Sequence, residues 1–325
     1  MDGSLAFVHC PAVIIEWETT IASRPERAAA GLTALCRQLW LLRERMQGEP
    51  EVVIVFDPDT GSRESIQQLV SCTADARGWP GKVKIVSSPA GTRYYGHKNF
   101  GAALTQNPVI VFLDSDLIPD DGWLQGMLEP LSDFRVSLVV ANTYMESHSL
   151  YANCVGLFWI FDTRSKRPAL TRTKRLLANS FAVRRAVFEK FPFPQRPTFR
   201  GQCSELASIL ATHGIVMHQN SAAQASHPPP EGARHFMERA LFAGHDECSY
   251  RALAGPVPVR QAFAQFRVDL RAVRQRMALR APTVGAGFTT VVAAACLGFA
   301  FYFLKLTGFV ITALWPTAVP QMFDA

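Results

Sequence analysis

Residues 109–116 read VIVFLDSD, five apolar residues that suit a buried strand running straight into two aspartates separated by one serine. In an α/β protein the ligand crevice lies beyond the carboxyl ends of parallel strands, so Asp114 and Asp116 face that crevice rather than the core. Side chains at i and i+2 of an extended chain leave the same side, their α-carbons roughly 6 to 7 Å apart, close enough to share one divalent ion. Magnesium and manganese favour few carboxylates completed by phosphate oxygens. A nucleotide diphosphate held through Mn2+ or Mg2+ at Asp114 and Asp116 fits this pattern. So does a plain turn after a strand, because residues 114–121, DSDLIPDD, are ordinary turn formers.

Working outward, residues 13–17, 52–56, 83–86 and 109–113 are short apolar runs expected as buried strands. Residues 24–46, 62–77 and 94–106 between them carry helical patterns. Strand and helix alternating at this spacing imply an α/β fold with a mostly parallel central sheet covered on both faces. Further on, 136–145, 180–183 and 215–220 read as strands, and 203–213 and 231–247 as helices. Gly255, Pro256 and Pro258 then mark a boundary. Residues 1–255 are thus expected as one nucleotide-binding domain, 256–282 as a separate helix, and 283–325 as a tail.

The chain has 325 residues, 48% of them hydrophobic, ample for a large core. Its seven cysteines show neither paired CxxC nor Cys/His spacing, which argues against zinc and a disulfide framework and for reduced thiols in the cytosol. The net charge of +6 is concentrated: residues 260–280 hold six arginines and one aspartate. That distribution argues against a nucleic-acid partner. Val259, Phe263, Phe266, Leu270, Val273 and Met277 form one helical stripe, with Arg260, Arg267, Arg271 and Arg274 off it. This is a basic amphipathic helix suited to anionic membrane lipids, or equally to packing on the globular part with its arginines solvated. Residues 284–304 follow without a charge, long enough to cross about 30 Å of hydrocarbon as a transmembrane helix. Arginines on its amino-terminal flank place the preceding domain on the cytoplasmic face of the membrane. After Lys305, residues 306–319 are apolar again but broken by Gly308 and Pro316, leaving a second pass or an interfacial segment both open.

The strand-terminal acids, the KNxG run at 98–101, the DSD at 114–116, ANSFAVRRAVFEKFPFP at 178–194 and SHPPP at 226–230 together resemble the family 2 glycosyltransferases over residues 12–250. The resemblance implies a GT-A fold and an inverting transfer of sugar from a nucleotide-diphosphate sugar to a hydroxyl acceptor. Position by position, it implies that Glu16, Trp17 and Glu18 contact the nucleoside, although Trp17 equally suits the core. It implies that Asp57 reads the base, although FDPDTG also suits a turn cap. Lys98, Asn99 and Ser115 would bind donor phosphate or sugar. Asp116 would be the principal metal ligand, Asp114 a second one that also touches ribose or sugar, and His227 an added metal or diphosphate ligand. Tyr94, Tyr95 and His97 would pack nearby or wall the site.

The catalytic base is the least direct transfer. Inversion needs a carboxylate within hydrogen-bond reach of the acceptor hydroxyl. Where the family presents an acidic pair at a helix start, this chain has Gln202 and Cys203, and Glu205 is the carboxylate nearest that place. Glu205 is the expected base; a first-turn helix acid without chemistry is its other reading, and Asp162 could serve from elsewhere. Arg184, Arg185, Arg196 and Arg200 suit a phosphorylated, lipid-linked acceptor or a surface polysaccharide. The QxxRW signature of processive synthases is absent, which points to single additions. EWETT after the first strand, where nucleotidyltransferases carry a Gly-rich basic loop, argues against that class. A non-catalytic member that binds a nucleotide sugar or a partner at the membrane remains the alternative.

Overall fold

The computed structural model describes residues 8–17, 25–165, 168–196 and 201–323. Glu18, Arg24 and Arg200 lie outside the described residues. The main sheet is built from β1 (Pro11–Trp17), β2 (Glu51–Phe56), β3 (Lys82–Ser87), β4 (Val109–Asp114), β5 (Ile118–Pro119), β6 (Leu138–Met145), β7 (Leu170–Thr173), β8 (Ser180–Arg184) and β9 (Met217–His227). Helices α1 (Pro25–Leu42), α2 (Arg63–Cys72), α3 (Tyr94–Ala103) and α4 (Trp123–Leu128) alternate with the early strands. They are followed by α5 (Leu150–Phe158), α6 (Arg185–Lys190), α7 (Gln202–Thr212), α8 (Gly232–Ala252), α9 (Arg260–Val284), α10 (Phe288–Leu314) and α11 (Ala318–Met322).

Among the described residues the sheet runs β3-β2-β1-β4-β8-β6-β9-β5, with β7 pairing β9. The first four strands are parallel, in the register Glu16↔Asp114 and Trp17↔Phe56. The Val- and Ile-rich sequences of β1, β2 and β4 are buried on both faces, as helix-covered parallel strands require, whereas β3, expected as a buried strand, lies at the sheet edge and buries only Ile85. Beyond β4 the direction changes: β8 is antiparallel to both β4 and β6, and β9 to β5 and β7. The sheet is therefore mixed. The chain divides into two compact units, Met1–Thr143 with Arg164–Gln195 and Gln202–His227, and Tyr144–Thr163 with Arg196–Gly201 and Pro228–Ala325. Helix α8, which precedes the boundary expected at residue 255, falls in the second unit.

Two glycines set how closely helices approach the strands that carry the acids. A Cβ on Gly101 of α3 would meet Ile14 Cγ2 at 2.5 Å and Val55 Cγ2 at 2.9 Å, so the helix lies directly on β1 and β2. A Cβ on Gly31 of α1 would meet the Leu117 carbonyl oxygen at 2.5 Å, one residue past Asp116. The KNxG glycine is thus a packing requirement of α3.

The second unit holds α5 and α8 to α11. Residues 288–314 form one continuous helix through Lys305 and Gly308, so the second apolar run does not turn back through a membrane but completes the first. It is the helix, among the described residues, long and apolar enough to cross a bilayer.

Replacing Gly101 with alanine should cost about 1–3 kcal/mol by overpacking against Ile14 and Val55. Chemical denaturation measures this; an unchanged midpoint would mean that α3 can lift from the sheet without loss.

Candidate functional site

The carboxyl ends of β1 and β4 lie side by side, which brings Glu16 level with Asp114. The chain leaving β4 is pinned by its backbone: Ser115 N donates to Glu16 O at 3.1 Å, Leu117 N to Asp114 O at 3.1 Å, and Asp114 N to Asn179 O at 2.9 Å. Glu16, Trp17, Asp114, Ser115 and Asp116 are all buried. A small cavity lies between Trp17, the Ala28–Leu32 side of α1, and Asp114 and Ser115.

The two aspartates have different partners. Asp114 is held from α3: Lys98 Nζ donates to Oδ1 at 2.5 Å and the Tyr94 hydroxyl to Oδ2 at 2.7 Å. Lys98 is fully buried, its ammonium 4.6 Å from the centre of the Tyr94 ring. Desolvation, reinforced by the Asp114 charge, holds the Tyr94 phenol well above its ordinary pKa, so it stays a donor at any working pH. Asp116 turns the other way. Its Oδ2 lies 3.2 Å from His227 Nε2, at the end of β9, and both residues are buried.

The register of β9 explains this meeting. Ala225 pairs Pro119 and Ser226 pairs Ile118, so the next residue along β9 arrives beside the acids. Arg27, in the first turn of α1, ties the same corner together. Its Nε donates to the Asp116 carbonyl, and its Nη2 to the Ser226 carbonyl at 3.0 Å and the Ser226 hydroxyl at 3.5 Å.

Beside Glu16, His97 Nδ1 lies 3.5 Å from Glu16 Oε1. Burial holds the His97 imidazole below its ordinary pKa, with the Asp57 charge working against it and Lys98 with it. Its buried Nε2 has no hydrogen-bond partner among the described residues. Asp57 forms the turn after β2: its Oδ1 accepts from Asp59 N at 3.0 Å and its carbonyl from Thr60 N and Gly61 N. Asn99 faces away from the acids, its amide bonded both ways to the Phe193 backbone, at 2.8 and 3.1 Å. Glu205 lies in the first turn of α7, partly buried.

Two of the arginines expected near an acceptor are engaged in the fold. Arg184 donates to the carbonyls of Leu131, Asp133 and Val136, and Arg185 to that of Thr105.

Sequence reasoning missed Arg27 and Asn179. Arg27 sits in a helix without a motif, and only the long-range return of β9 reveals its partners. Asn179 precedes β8; its Oδ1 accepts from the Thr143 hydroxyl at 3.3 Å, while its buried Nδ2 has no hydrogen-bond partner among the described residues, one backbone bond from Asp114.

Asp116 and His227, a hard oxygen from the turn after β4 and an imidazole from the end of β9, converge within 3.2 Å and fit a manganese or magnesium ion. Among the described residues no group of three or more such side chains gathers. Two protein donors suit a cation whose remaining positions are filled by substrate oxygens and water.

The family model for glycosyl transferase family 2 matches residues 24–191, just over half of the chain. No curated protein matches it. Among solved structures, the mannosyltransferase PcManGT from Pyrobaculum calidifontis, in complex with GDP-Man and Mn2+, is similar over 96% of this chain and 88% of its own. Its TM-score is 0.59 at 14% identity. GalNAc-T7, solved with UDP, GalNAc and Mn2+, is similar over 77% of this chain and 52% of its own, with a TM-score of 0.47 at 13% identity. At such identities the PcManGT likeness is one of fold, and it is the GT-A fold: four parallel strands delivering an acidic pair, then an antiparallel half returning a histidine to it. By its sequence match and by this architecture, the chain belongs to glycosyl transferase family 2.

Proposed function

We propose that this chain is a metal-dependent inverting glycosyltransferase that moves a sugar from a nucleotide-diphosphate donor to a hydroxyl acceptor at the cytoplasmic face of a membrane. The observation that carries this reading is the Asp116–His227 pair at the strand tips, with Asp114 beside it locked by Lys98 and Tyr94. Asp116 and His227 would hold Mn2+ or Mg2+, with Asp114 as a further carboxylate of the same site. When bound, the cation neutralises charge that builds on the departing diphosphate.

Each remaining residue has a part in this reading. Glu16, Trp17, Asp57 and His97 receive the nucleoside: carboxylates accept from ribose hydroxyls or a base imide, and the indole covers a ring face. Ser115, between the two acids, donates to ribose or phosphate. Lys98 and Asn99 serve the donor through what they hold, Lys98 by fixing the Asp114 carboxylate and Asn99 by fixing the Phe193 backbone. Glu205 takes the proton of the acceptor hydroxyl. The PcManGT complex with GDP-Man and Mn2+ supports the donor class.

The transferase chemistry belongs to residues 1–255, and residues 256–325 bring the enzyme to the lipid. An enzyme held there meets a lipid-linked or surface-polysaccharide acceptor, and single additions follow from the missing QxxRW run. Gln202 and Cys203 in place of the acidic pair favour one rival, a non-catalytic member that binds donor or partner without turnover.

Asp116→Asn should abolish manganese-dependent binding of nucleoside diphosphates while the thermal transition stays within a few degrees of the wild type. Calorimetric titration with UDP, GDP and dTDP in the presence of manganese reads this directly. Retained, metal-dependent affinity would remove Asp116 from the site.

Glu205→Gln should keep donor binding and lose about 100-fold or more in transfer rate, the usual contribution of a general base. Product formation from radiolabelled donors by wild type and variant decides it. Equal turnover in both transfers the role of base elsewhere, and binding without turnover in either favours the non-catalytic reading.

A further inference from the structure

Helix α10 is packed along its length against charged helices of its own unit. It follows α9 after a three-residue link, Gly285 to Gly287, and runs back along it. Lys305 Nζ lies 2.7 Å from Asp269 Oδ2, and Arg276 donates to the Tyr302 hydroxyl at 2.9 Å. Helix α8 crosses its second half in backbone contact: a Cβ on Gly308 would fall 2.2 Å from Leu241 O, and one on Gly244 2.0 Å from Lys305 O. There Lys305 also meets Glu247 Oε2 at 2.7 Å, and His245 Nδ1 lies 3.0 Å from the Thr312 hydroxyl. Helix α5 covers the first half, with Cys154 Sγ donating to Thr290 O and Trp159 edge-on to Phe301 at 4.8 Å.

Length and composition would let α10 cross a bilayer, but this packing argues against it. Were α10 to span the hydrocarbon with its neighbours in place, α9 would be carried in beside it. Arg260, Arg267, Arg271 and Arg274 are exposed on α9, and guanidinium groups at bilayer depth are strongly disfavoured. The other face of α10 is apolar and open. Phe288, Val292, Phe299 and Phe303 recur at four, seven and four residues, one helical stripe, and each is at least 45% exposed. Phe299 stacks on Phe303 with centroids 6.3 Å apart and meets Phe266 of α9 at 6.0 Å, so the aromatic strip continues onto the basic helix.

We propose that α9 and α10 form a hairpin lying in the plane of an anionic membrane, the Phe288–Phe303 stripe sunk to the acyl boundary and the four exposed arginines of α9 at the phosphate layer, with neither helix crossing. Charge complementarity selects the occupant: an aromatic strip bordered by four guanidinium groups matches an anionic lipid surface rather than a second copy of the same basic face. The inference rests on the membrane reading given above and changes its form, from a spanning anchor to a one-sided one.

The full chain carrying an epitope after Ala325 is followed in sealed, inverted membrane vesicles, with protease added outside. The in-plane hairpin predicts that the epitope is lost together with the globular part. An epitope protected while the globular part is digested means a crossing helix and overturns the inference, leaving the membrane reading intact. A chain recovered wholly in the soluble fraction overturns both. Manganese-dependent nucleotide binding on the same preparation reports the catalytic reading independently.

A second measurement needs no topology. Flotation of the Arg267→Gln/Arg271→Gln/Arg274→Gln variant with phosphatidylglycerol vesicles should fall by about fivefold per arginine removed, and not at all with phosphatidylcholine vesicles. Equal flotation of wild type and variant on both would overturn the placement of α9.

Discussion

The buried contact between Lys98 and Asp114 governs the site. An ammonium with no exposed surface is tolerable only if its charge is met, and the 2.5 Å bond to Asp114 meets it. Removing one partner of such a pair leaves a lone buried charge and costs about 3–5 kcal/mol. The pair therefore fixes α3 to the tip of β4 as firmly as the close approach at Gly101 fixes it to β1 and β2. It also divides the two aspartates. With one oxygen on Lys98 and the other on Tyr94, Asp114 has its orientation set by protein donors. Asp116 turns instead toward the His227 imidazole, so the two acids answer to different parts of the fold.

The mixed sheet is what makes that division possible. A wholly parallel sheet would place acids at the strand tips, but a residue as distant in sequence as His227 would have no reason to arrive there. The reversal at β8 and the long antiparallel run of β9 bring it back, in a register fixed by Ile118 and Pro119 just past the acids. Arg27 then closes the corner from a third direction, bonding the backbone of both Asp116 and Ser226. Three segments remote in sequence, in α1, β4 and β9, are joined by main-chain carbonyls and one guanidinium, whose planar fork suits two acceptors at once.

The parallel half was legible because its signal is local. Helix-covered parallel strands are continuous runs of Val and Ile, and each of 13–17, 52–56, 83–86 and 109–113 lies inside an observed strand, although 83–86, at the sheet edge, buries only Ile85. The antiparallel half was legible only in pieces. β9 extends seven residues beyond the expected 215–220, because SAAQASH carries small and polar residues whose strand state is imposed by its neighbours β6 and β5 in the sheet. The same limit applies to side chains. DSD and KNxG marked positions, but not that Lys98 would be buried against Asp114 or that Asn99 would turn to Phe193. Such directions depend on which helix face meets the sheet; Arg27 has no local pattern, and the ANSFAVRR run that contains Asn179 does not point to its partner. Their partners lie 89 and 65 residues away along the chain, at Asp116 and Asp114.

Composition is a still poorer guide in the second unit, where it measures how apolar a helix is but not what covers it. An uncharged run of 21 residues satisfies the length rule for a bilayer, and α10 is a single apolar helix as that rule requires. Yet Lys305 lies within it, and its two acidic partners come from α8 and α9. A lone lysine at bilayer depth costs about 2.5–3.5 kcal/mol on insertion scales, and each arginine carried in with α9 adds a similar amount. Pairing Lys305 with Glu247 and Asp269 answers that cost only by requiring two more charged helices at the same depth, each with further ionised groups. The glycine crossing at Gly244 and Gly308 removes the freedom to slide those helices apart, since the backbones are already in contact. A helix so tied on one side has only its other side to offer to lipid, and a one-sided apolar helix is an interfacial one.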